Sequence, residues 1–245
     1  MSQNHRSVSL VSRRQALILL GTAGAALLAG RSTASNASAA SSSGKFPACI
    51  VTPKQTEGPF FVDERLNRSD IRVDPSDGSL KTGVPLSLTL RVSAVGSGGC
   101  NPLSGAIVDV WQCDAVGAYS AVNERGSQSA GKNFLRGYQV TEPNGSAQFT
   151  TIYPGWYPGR TVHIHFKVRA NAKAGTAQEI TSQLYFDDGL TDRIHAQQPY
   201  SSKGQRSVKN QQDGPFRNGG RQLMLSLVES RQGYAATFDI GLQMT

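Results

Sequence analysis

The chain has 245 residues, of which 38% are hydrophobic and 17% are charged, and its formal net charge is +8. This length allows one sizeable hydrophobic core but not two large domains, and the composition excludes a long coiled coil, a collagen-like chain and a wholly disordered protein. No stripe of basic residues interleaved with aromatic residues is present, so we expect no nucleic-acid partner.

Residues 1–39 have the pattern of an export signal. Arg13 and Arg14 precede a glycine-broken apolar run that falls short of the roughly 20 residues needed to cross a bilayer. The small residues Ala37-Ser38-Ala39 then form a cleavage pattern. The paired arginines resemble a twin-arginine signal, with an ordinary secretory leader or a membrane anchor as the alternatives. We therefore expect transient membrane passage through export machinery and a periplasmic or extracellular location.

After the signal we predict a linker over residues 40–48 and one folded domain over residues 49–245. The domain contains all three cysteines of the chain, which are Cys49, Cys100 and Cys113. In an oxidising compartment three cysteines allow one disulfide in three ways, and the sequence does not choose among them. No C-x-x-C pattern is present, which disfavours a thiolate zinc or iron–sulfur site.

Most of the domain has the pattern of short strands. Leu86, Leu88, Leu90 and Val92 alternate with polar residues, which is the period of a half-buried strand. Further strands are predicted over residues 106–111, 135–141, 147–152, 161–169, 180–186, 222–228 and 235–242. Short strands separated by Gly, Pro and Asn turns favour an all-β sandwich or barrel.

The connections are predicted from their turn and capping residues. Pro143-Asn144-Gly145 predicts a hairpin between the strands over 135–141 and 147–152. The only predicted helix runs from Thr191, as its N-cap, to Gln197. Residues 201–220 are polar and glycine-rich, so we expect a long loop there.

Two histidines on one predicted strand form a candidate metal site. His163 and His165 are two residues apart, so their side chains share one face of the strand with Cα atoms roughly 6.5–7 Å apart. The H-x-H pattern alone also fits zinc, copper or two ordinary strand histidines. No Asp, Glu or Cys lies next to the pair to complete a common zinc site or a facial triad.

Tyrosines lie near the histidine pair instead of carboxylates. Tyr153 and Tyr157 precede it closely, and Tyr119 follows the strand over 106–111. A phenol has an unperturbed pKa near 10, so only a strongly acidic cation such as ferric iron would hold it ionised at neutral pH. Two phenolates and a hydroxide would neutralise iron(III), and two imidazoles would complete a five-coordinate, non-haem Fe³⁺ site.

Five segments together form a motif that is more specific than the H-x-H pattern alone. They are Thr52 to Phe60, Gly105 to Tyr119, Pro154-Gly155-Trp156-Tyr157-Pro158, Arg160 to Phe166, and Ser182-Gln183-Leu184-Tyr185-Phe186. In order and approximate spacing they resemble the intradiol ring-cleavage dioxygenases, and the leader suggests an exported subgroup. The resemblance implies an antiparallel β-sandwich core with long active-site loops and little helix. It also implies an iron(III) enzyme that cleaves catechols with O₂ between the two hydroxyl-bearing carbons, giving cis,cis-muconate-type diacids.

The resemblance also implies a ligand set. Tyr119 and His163 match the equatorial ligands of the family, and Tyr157 and His165 match the axial ones. Tyr157 is preferred to Tyr153 because it occupies the Pro-Gly-x-Tyr position. By the same resemblance, Tyr157 has a catalytic role as the ligand that leaves the metal and takes a substrate proton.

Residues around the metal are implied in the same way. Arg160 matches an arginine that binds the substrate ring and stabilises its negative charge, and Gln183 matches a glutamine near the oxygen pocket. Pro59 is a candidate for lining the substrate pocket, with a turn proline as the alternative. His195 falls outside the motifs and is expected at the surface.

Two competing interpretations remain at this point. The first is an exported, non-catalytic β-sandwich that binds aromatics or carbohydrate, and the second is a zinc hydrolase. The preferred catechol and the oligomeric state, including a homo-oligomer, are left open by the sequence.

Overall fold

The computed structural model describes residues 50–96, 99–122, 129–171 and 177–244. The predicted export signal and linker, and with them Cys49, lie outside the described residues. Cys100 is disulfide-bonded, and Cys113 is a buried free thiol. None of the helices among the described residues is long and apolar enough to cross a bilayer.

Within the described residues, nine β-strands form two sheets that share one hydrophobic core. The strands are β1 (Pro85–Gly96), β2 (Gly99–Pro102), β3 (Ile107–Trp111), β4 (Arg136–Val140), β5 (Ser146–Ile152), β6 (His163–Asn171), β7 (Ala177–Tyr185), β8 (Val228–Ser230) and β9 (Gly233–Gln243). The first sheet has the order β2-β1-β9-β8, with β5 also paired to β1, and the second has the order β4-β3-β6-β7. The prediction of an all-β sandwich with little helix is confirmed.

The core forms where the strands alternate apolar and polar side chains. On β1, Leu86, Leu88 and Leu90 are fully buried, and each such side chain contributes roughly 1.5–3 kcal/mol by leaving water. On β6, Phe166 reaches across to Phe238 of β9 with ring centroids 6.4 Å apart. Because apolar residues of β6 point into the core, the intervening residues of this strand lie on its other face.

The predicted hairpin between β4 and β5 is wrong, although its turn is present. Gly145 N donates to Glu142 O at 2.8 Å, and Glu142 N donates to Ser146 O at 2.9 Å. The turn nevertheless passes the chain from one sheet to the other, since β4 pairs with β3 and β5 pairs with β1. Val92 N of β1 donates to Gly145 O at 2.8 Å and thus draws the chain onto the first sheet as it leaves the turn.

Three further features of the sheets differ from the sequence prediction. The pairing of β1 with β9 is parallel, so the first sheet is mixed rather than purely antiparallel. The short strand β2 was not predicted. The strand predicted over 222–228 is wrong in most of its length, because Gly220–Leu223 form a 3₁₀ turn and only Val228 lies in β8.

The helical segments also differ in detail. Helix α1 (Asp188–His195) begins one turn earlier than predicted, because its N-cap is Asp187, which accepts from Leu190 N at 2.8 Å. The residue predicted as N-cap, Thr191, lies inside the helix and donates to Asp187 O at 2.7 Å. Residues 201–220 are not one long loop, since they include 3₁₀ turns and the short helix α2 (Gly214–Arg217).

His195 is not the surface residue that the sequence analysis expected. It lies at the end of α1, where the helix faces the core, and only 7% of it is exposed. Its Nε2 donates to Pro154 O at 3.0 Å, and its ring stacks on Tyr200. This histidine therefore packs in the interior, in a role separate from the candidate metal site.

Candidate metal centre

β6 places His163 and His165 on the face of the second sheet that points away from the core. Their Nε2 atoms lie 2.9 Å apart, and the hydroxyl of Tyr157 lies 3.2 Å from His163 Nε2. The ring of His165 stacks on Trp111 of the neighbouring strand β3, with centroids 4.9 Å apart. A rigid pair of strands thus fixes the spacing of the two imidazoles.

Two loops bring the tyrosines to this pair. Asp114 folds the first loop, since its carboxylate accepts from Ala118 N at 2.9 Å, and Tyr119 follows directly. Gly117 has φ +84°, and a Cβ there would lie 2.1 Å from Trp156 O in the second loop, so only glycine permits this approach. The second loop carries Tyr157, whose ring centroid lies 5.6 Å from that of Tyr119.

Residues 56–61, which precede β1, cover the cluster and are called the covering segment below. Phe60 stacks on Tyr119 with ring centroids 4.1 Å apart. Gly58 lies beside His165, where an added Cβ would be 3.4 Å from the imidazole Cε1. Pro59, the predicted pocket-lining residue, is solvent-exposed between these two contacts. This segment therefore lines the site through Gly58 and Phe60.

The protonation of His163 follows from its partners. Its Nδ1 lies 2.6 Å from Thr161 O, and a carbonyl oxygen can only accept, so Nδ1 carries the proton and donates. The Nε2 lone pair of neutral His163 then faces His165 and Tyr157. This lone pair can accept from His165 Nε2, at 2.9 Å, or from the Tyr157 hydroxyl, at 3.2 Å. Fixing one nitrogen by a backbone carbonyl is the usual way in which proteins orient a ligating histidine.

Burial sets the charge states of the four side chains. It lowers the pKa of His163 to about 3, with Arg160 acting in the same direction, and it lowers the pKa of His165 well below its usual value. Burial raises the pKa of Tyr157 to about 12, although Arg160 opposes this, and raises the pKa of Tyr119 well above its usual value. At neutral pH both imidazoles are therefore uncharged, and both phenols stay protonated unless a cation ionises them.

This donor set fits a trivalent cation. The described residues contain no cluster of three or more His, Cys, Asp or Glu side chains placed to hold an ion, so an ion here would need the tyrosines as ligands. Among the described residues, the buried Tyr119 hydroxyl has no hydrogen-bond partner of ordinary geometry, although the neighbouring Tyr157 phenol is close enough to raise its pKa, so this oxygen is available to an ion. The two histidine Nε2 atoms, 2.9 Å apart, are close enough together to bind one ion.

Tyr153, the alternative tyrosine, lies elsewhere. It is fully buried in the main core, and its hydroxyl is 2.7 Å from Thr191 Oγ1. Tyr119 and Tyr157 belong to a separate aromatic cluster with Trp111. The structure thus brings Tyr157, and not Tyr153, to the histidine pair.

Arg160 lies beside the cluster and is held by two other side chains. Its Nε donates to Asp213 Oδ1 at 2.8 Å, and its Nη2 donates to Gln183 Oε1. Gln183 is fully buried, and its Nε2 donates to Thr56 O at 2.8 Å. Both ends of the Gln183 amide are therefore engaged within the protein, which connects Arg160 to the covering segment.

Sequence reasoning missed Asp213. The run Asp213-Gly214-Pro215 has the pattern of an N-cap followed by a proline in the first helical turn, which would have predicted α2. Burial by itself would raise the pKa of Asp213, but the hydrogen bonds and charge of Arg160 outweigh it, and the pKa lies below its usual value. No local pattern indicates that this carboxylate reaches Arg160.

Comparison with known proteins agrees with this geometry. Residues 56–198 match the family model described as dioxygenase. The chain is 26% identical over 156 residues to catechol 1,2-dioxygenase 1 of Acinetobacter lwoffii, covering 54% of this chain and 45% of that protein. It is 30% identical over 122 residues to the protocatechuate 3,4-dioxygenase beta chain of Burkholderia cepacia, covering 46% of this chain and 51% of that protein. The chain thus spans about half the length of the curated relatives that it matches.

A solved structure extends the likeness over most of the domain. The intradiol ring-cleavage dioxygenase from Tetranychus urticae superposes with a TM-score of 0.67 at 32% identity, covering 80% of this chain and 95% of that one. The family match over residues 56–198 includes the strands and loops that carry the tyrosines and histidines described above. The chain therefore belongs to the intradiol ring-cleavage dioxygenase family.

Proposed function

We propose that this protein is a non-haem iron(III) dioxygenase that cleaves catecholic rings between their two hydroxyl-bearing carbons and yields cis,cis-muconate-type diacids. Tyr119, Tyr157, His163 and His165 would hold the iron. The observation that carries the proposal is that Tyr157 Oη and His165 Nε2 each lie within 3.2 Å of His163 Nε2, while the proton of His163 is held on its other nitrogen by Thr161 O.

Bound there, iron(III) would supply a Lewis-acidic centre that takes up a catechol as its dianion and prepares the ring to react with O₂. Tyr157 would take a substrate proton at its Oη. Burial raises the pKa of this phenol to about 12, so a proton on its oxygen would be retained at neutral pH. Tyr119, which is fully buried, stays in place.

Arg160 would stabilise the negative charge that develops on the ring. Its guanidinium is fixed before substrate arrives by Asp213 and Gln183, so it does not need to reorganise during the reaction. The covering segment, with Phe60 stacked on Tyr119, excludes water from one side of the site.

The test is an oxygen-uptake assay on iron-loaded protein with catechol, hydroxyquinol, protocatechuate and chlorinated catechols, followed by identification of the products. We expect burgundy protein, stoichiometric oxygen consumption and a ring-opened diacid. A colourless iron-loaded sample that binds catechols without consuming oxygen would refute the proposal and favour a binding module. An extradiol product would refute the position of cleavage.

We also propose that the protein is exported, as residues 1–39 predict. The disulfide bond at Cys100 supports this, since such bonds persist mainly in oxidising compartments. Cell fractionation should find the protein outside the cytoplasm, and replacing Arg13 and Arg14 by lysine should retain it inside. If the wild type and the lysine variant were distributed equally between the cytoplasm and the exterior, twin-arginine export would be refuted.

A further inference from the structure

The carboxylate of Asp213 lies beneath Arg160 and is completely enclosed. Its side chain is 0% exposed, whereas that of Arg160 is 17% exposed. Asp213 lies outside residues 56–198, which the family model matches. It reaches Arg160 because the 3₁₀ turn Asn210–Gln212 and helix α2 fold back against the beginning of β6.

Among the described residues, the side-chain carboxylate of Asp213 accepts four hydrogen bonds, three of them from Arg160 and Thr161. Oδ1 accepts from Arg160 Nε at 2.8 Å and from Thr161 N at 3.2 Å. Oδ2 lies 3.4 Å from Arg160 Nη2 and accepts from Phe216 N at 2.9 Å, which caps α2. Asn210 also bonds to Thr161, since its Oδ1 accepts a hydrogen bond from Thr161 Oγ1 at 2.8 Å.

These contacts leave one part of the guanidinium unused. Asp213 binds the Nε side of Arg160, and Gln183 Oε1 accepts from Nη2. The Tyr185 phenol also lies within hydrogen-bonding reach of this guanidinium. Within the described part of the chain, the side-chain hydrogen bonds of Arg160 to Asp213 and Gln183 use only Nε and Nη2, and none of them uses Nη1. Because a guanidinium is planar and rigid, fixing Nε and Nη2 also fixes the direction of the Nη1 hydrogens.

We propose that Asp213 is a positioning residue that orients Arg160 so that its Nη1 group is the donor presented to the substrate. This inference rests on the proposed function and adds to it a residue from beyond the matched part of the chain. Asp213 does not touch the substrate itself. Its effect on turnover passes through the direction of the guanidinium, where a displacement of about 1 Å can reduce a rate by about 100-fold.

The structural role of Asp213 as an N-cap has to be separated from this positioning role. Asp213→Asn retains an oxygen for the Phe216 N–H group but loses the charge that binds Arg160, whereas Asp213→Ala loses both. Asp187→Ala is the matched control, because Asp187 caps α1 through Leu190 N and makes no contact with Arg160. Each variant is prepared as the full chain, with and without iron.

Three measurements test the assignment. The first is kcat and KM for oxygen uptake with catechol, and the second is iron content with the visible spectrum. The third is hydrogen exchange of the Arg160 Nε proton in metal-free protein by NMR, with the signal assigned by its loss in Arg160→Lys. The last measurement does not depend on activity.

We expect kcat to fall about 100-fold in Asp213→Ala and about tenfold in Asp213→Asn, with iron content and the visible band unchanged. The Arg160 Nε proton should exchange faster in both variants. Asp187→Ala should lose thermal stability but keep kcat and the slow exchange.

Each other outcome overturns the assignment. Faster exchange with wild-type kcat in Asp213→Asn would show that the orientation of Arg160 does not matter for turnover, while the proposed function stands. A fall in kcat of the same size in Asp187→Ala would show a general effect of lost capping. A wild-type protein without oxygen uptake on any catechol would refute the proposed function, and this assignment with it.

Discussion

Tyr153 and Tyr157 allow a paired test, because removing one oxygen atom from each should have opposite consequences. The Tyr153 hydroxyl is fully buried and lies 2.7 Å from Thr191 Oγ1. Thr191 already donates its own proton to Asp187 O, so the Tyr153 hydroxyl is the donor of the pair. Tyr157 is half-buried, and its hydroxyl lies 3.2 Å from His163 Nε2.

The structure gives the size of each effect. Tyr153→Phe loses one buried neutral hydrogen bond but leaves Thr191 with its donor satisfied, so the unfolding free energy should fall by about 1 kcal/mol. For a domain of this size that corresponds to a decrease in Tm of about 2–4 °C. In Tyr157→Phe, His163 Nε2 still accepts from His165 in metal-free protein, so the loss should be about 0.5 kcal/mol or less.

The assay combines thermal unfolding of metal-free protein with the visible spectrum and oxygen uptake of iron-loaded protein. Tyr153→Phe should lower Tm and keep the colour and turnover. Tyr157→Phe should keep Tm, shift the visible band and lose most of its turnover. A wild-type spectrum in Tyr157→Phe together with an altered one in Tyr153→Phe would refute the proposed ligand set.

Three further outcomes are expected. Removing iron should bleach the visible band and abolish oxygen uptake. Iron(III) should restore both and zinc neither, because phenols with raised pKa values are ionised only by a strongly acidic cation. Recovery of oxygen uptake with zinc would contradict the proposed ligand chemistry. The pKa of Asp213 is lowered in the folded state, so its charge stabilises the fold above the unfolded pKa of about 3.9, and this contribution disappears as the pH falls through the lower folded pKa. Urea unfolding should therefore show that the difference in unfolding free energy between wild type and Asp213→Asn shrinks below about pH 4. A difference that stays constant with pH would contradict this. Lys167 contacts Glu57, Glu179 and the ring of Phe61, so Lys167→Met should lower the unfolding free energy by about 1 kcal/mol and speed proteolysis near residue 57. Arg91→Met, at a more exposed ion pair, should change the unfolding free energy by less than about 0.5 kcal/mol. Equal effects of the two variants on stability and proteolysis would show that Lys167 does not hold the covering segment.

Local patterns predicted the parts of the fold that local physics decides. The alternation on β1 predicted which leucines are buried, and the i, i+2 spacing predicted that His163 and His165 share a face, because a strand has only two faces. The turn around Gly145 was also recognised from its residues. The hairpin pairing of β4 with β5 that was predicted from this turn is wrong. Whether these two strands pair depends on β1 and β3, which lie far away in the sequence.

The surroundings of Arg160 show the same limit at the site. Its position close to His163 was evident from the spacing in the sequence, but its anchor comes from a segment 53 residues further along the chain. The polar and glycine-rich composition of that segment predicted a loop, because short helices bury few apolar side chains and leave a weak periodic signal. A buried ion pair formed between distant segments leaves no local pattern in either of them.

The unequal enclosure of Tyr119 and Tyr157 gives a physical reason for the different roles proposed for them. Tyr119 is fully buried, stacked on Phe60 and fixed by a loop that approaches Trp156 closely at Gly117. Tyr157 is only half-buried, and the next residues in its loop are exposed. Moving Tyr119 would require the covering segment to unstack, whereas Tyr157 can turn toward solvent without disturbing the core. The enclosure of the two phenols therefore agrees with the proposed reaction, in which Tyr157 would move and Tyr119 would stay in place.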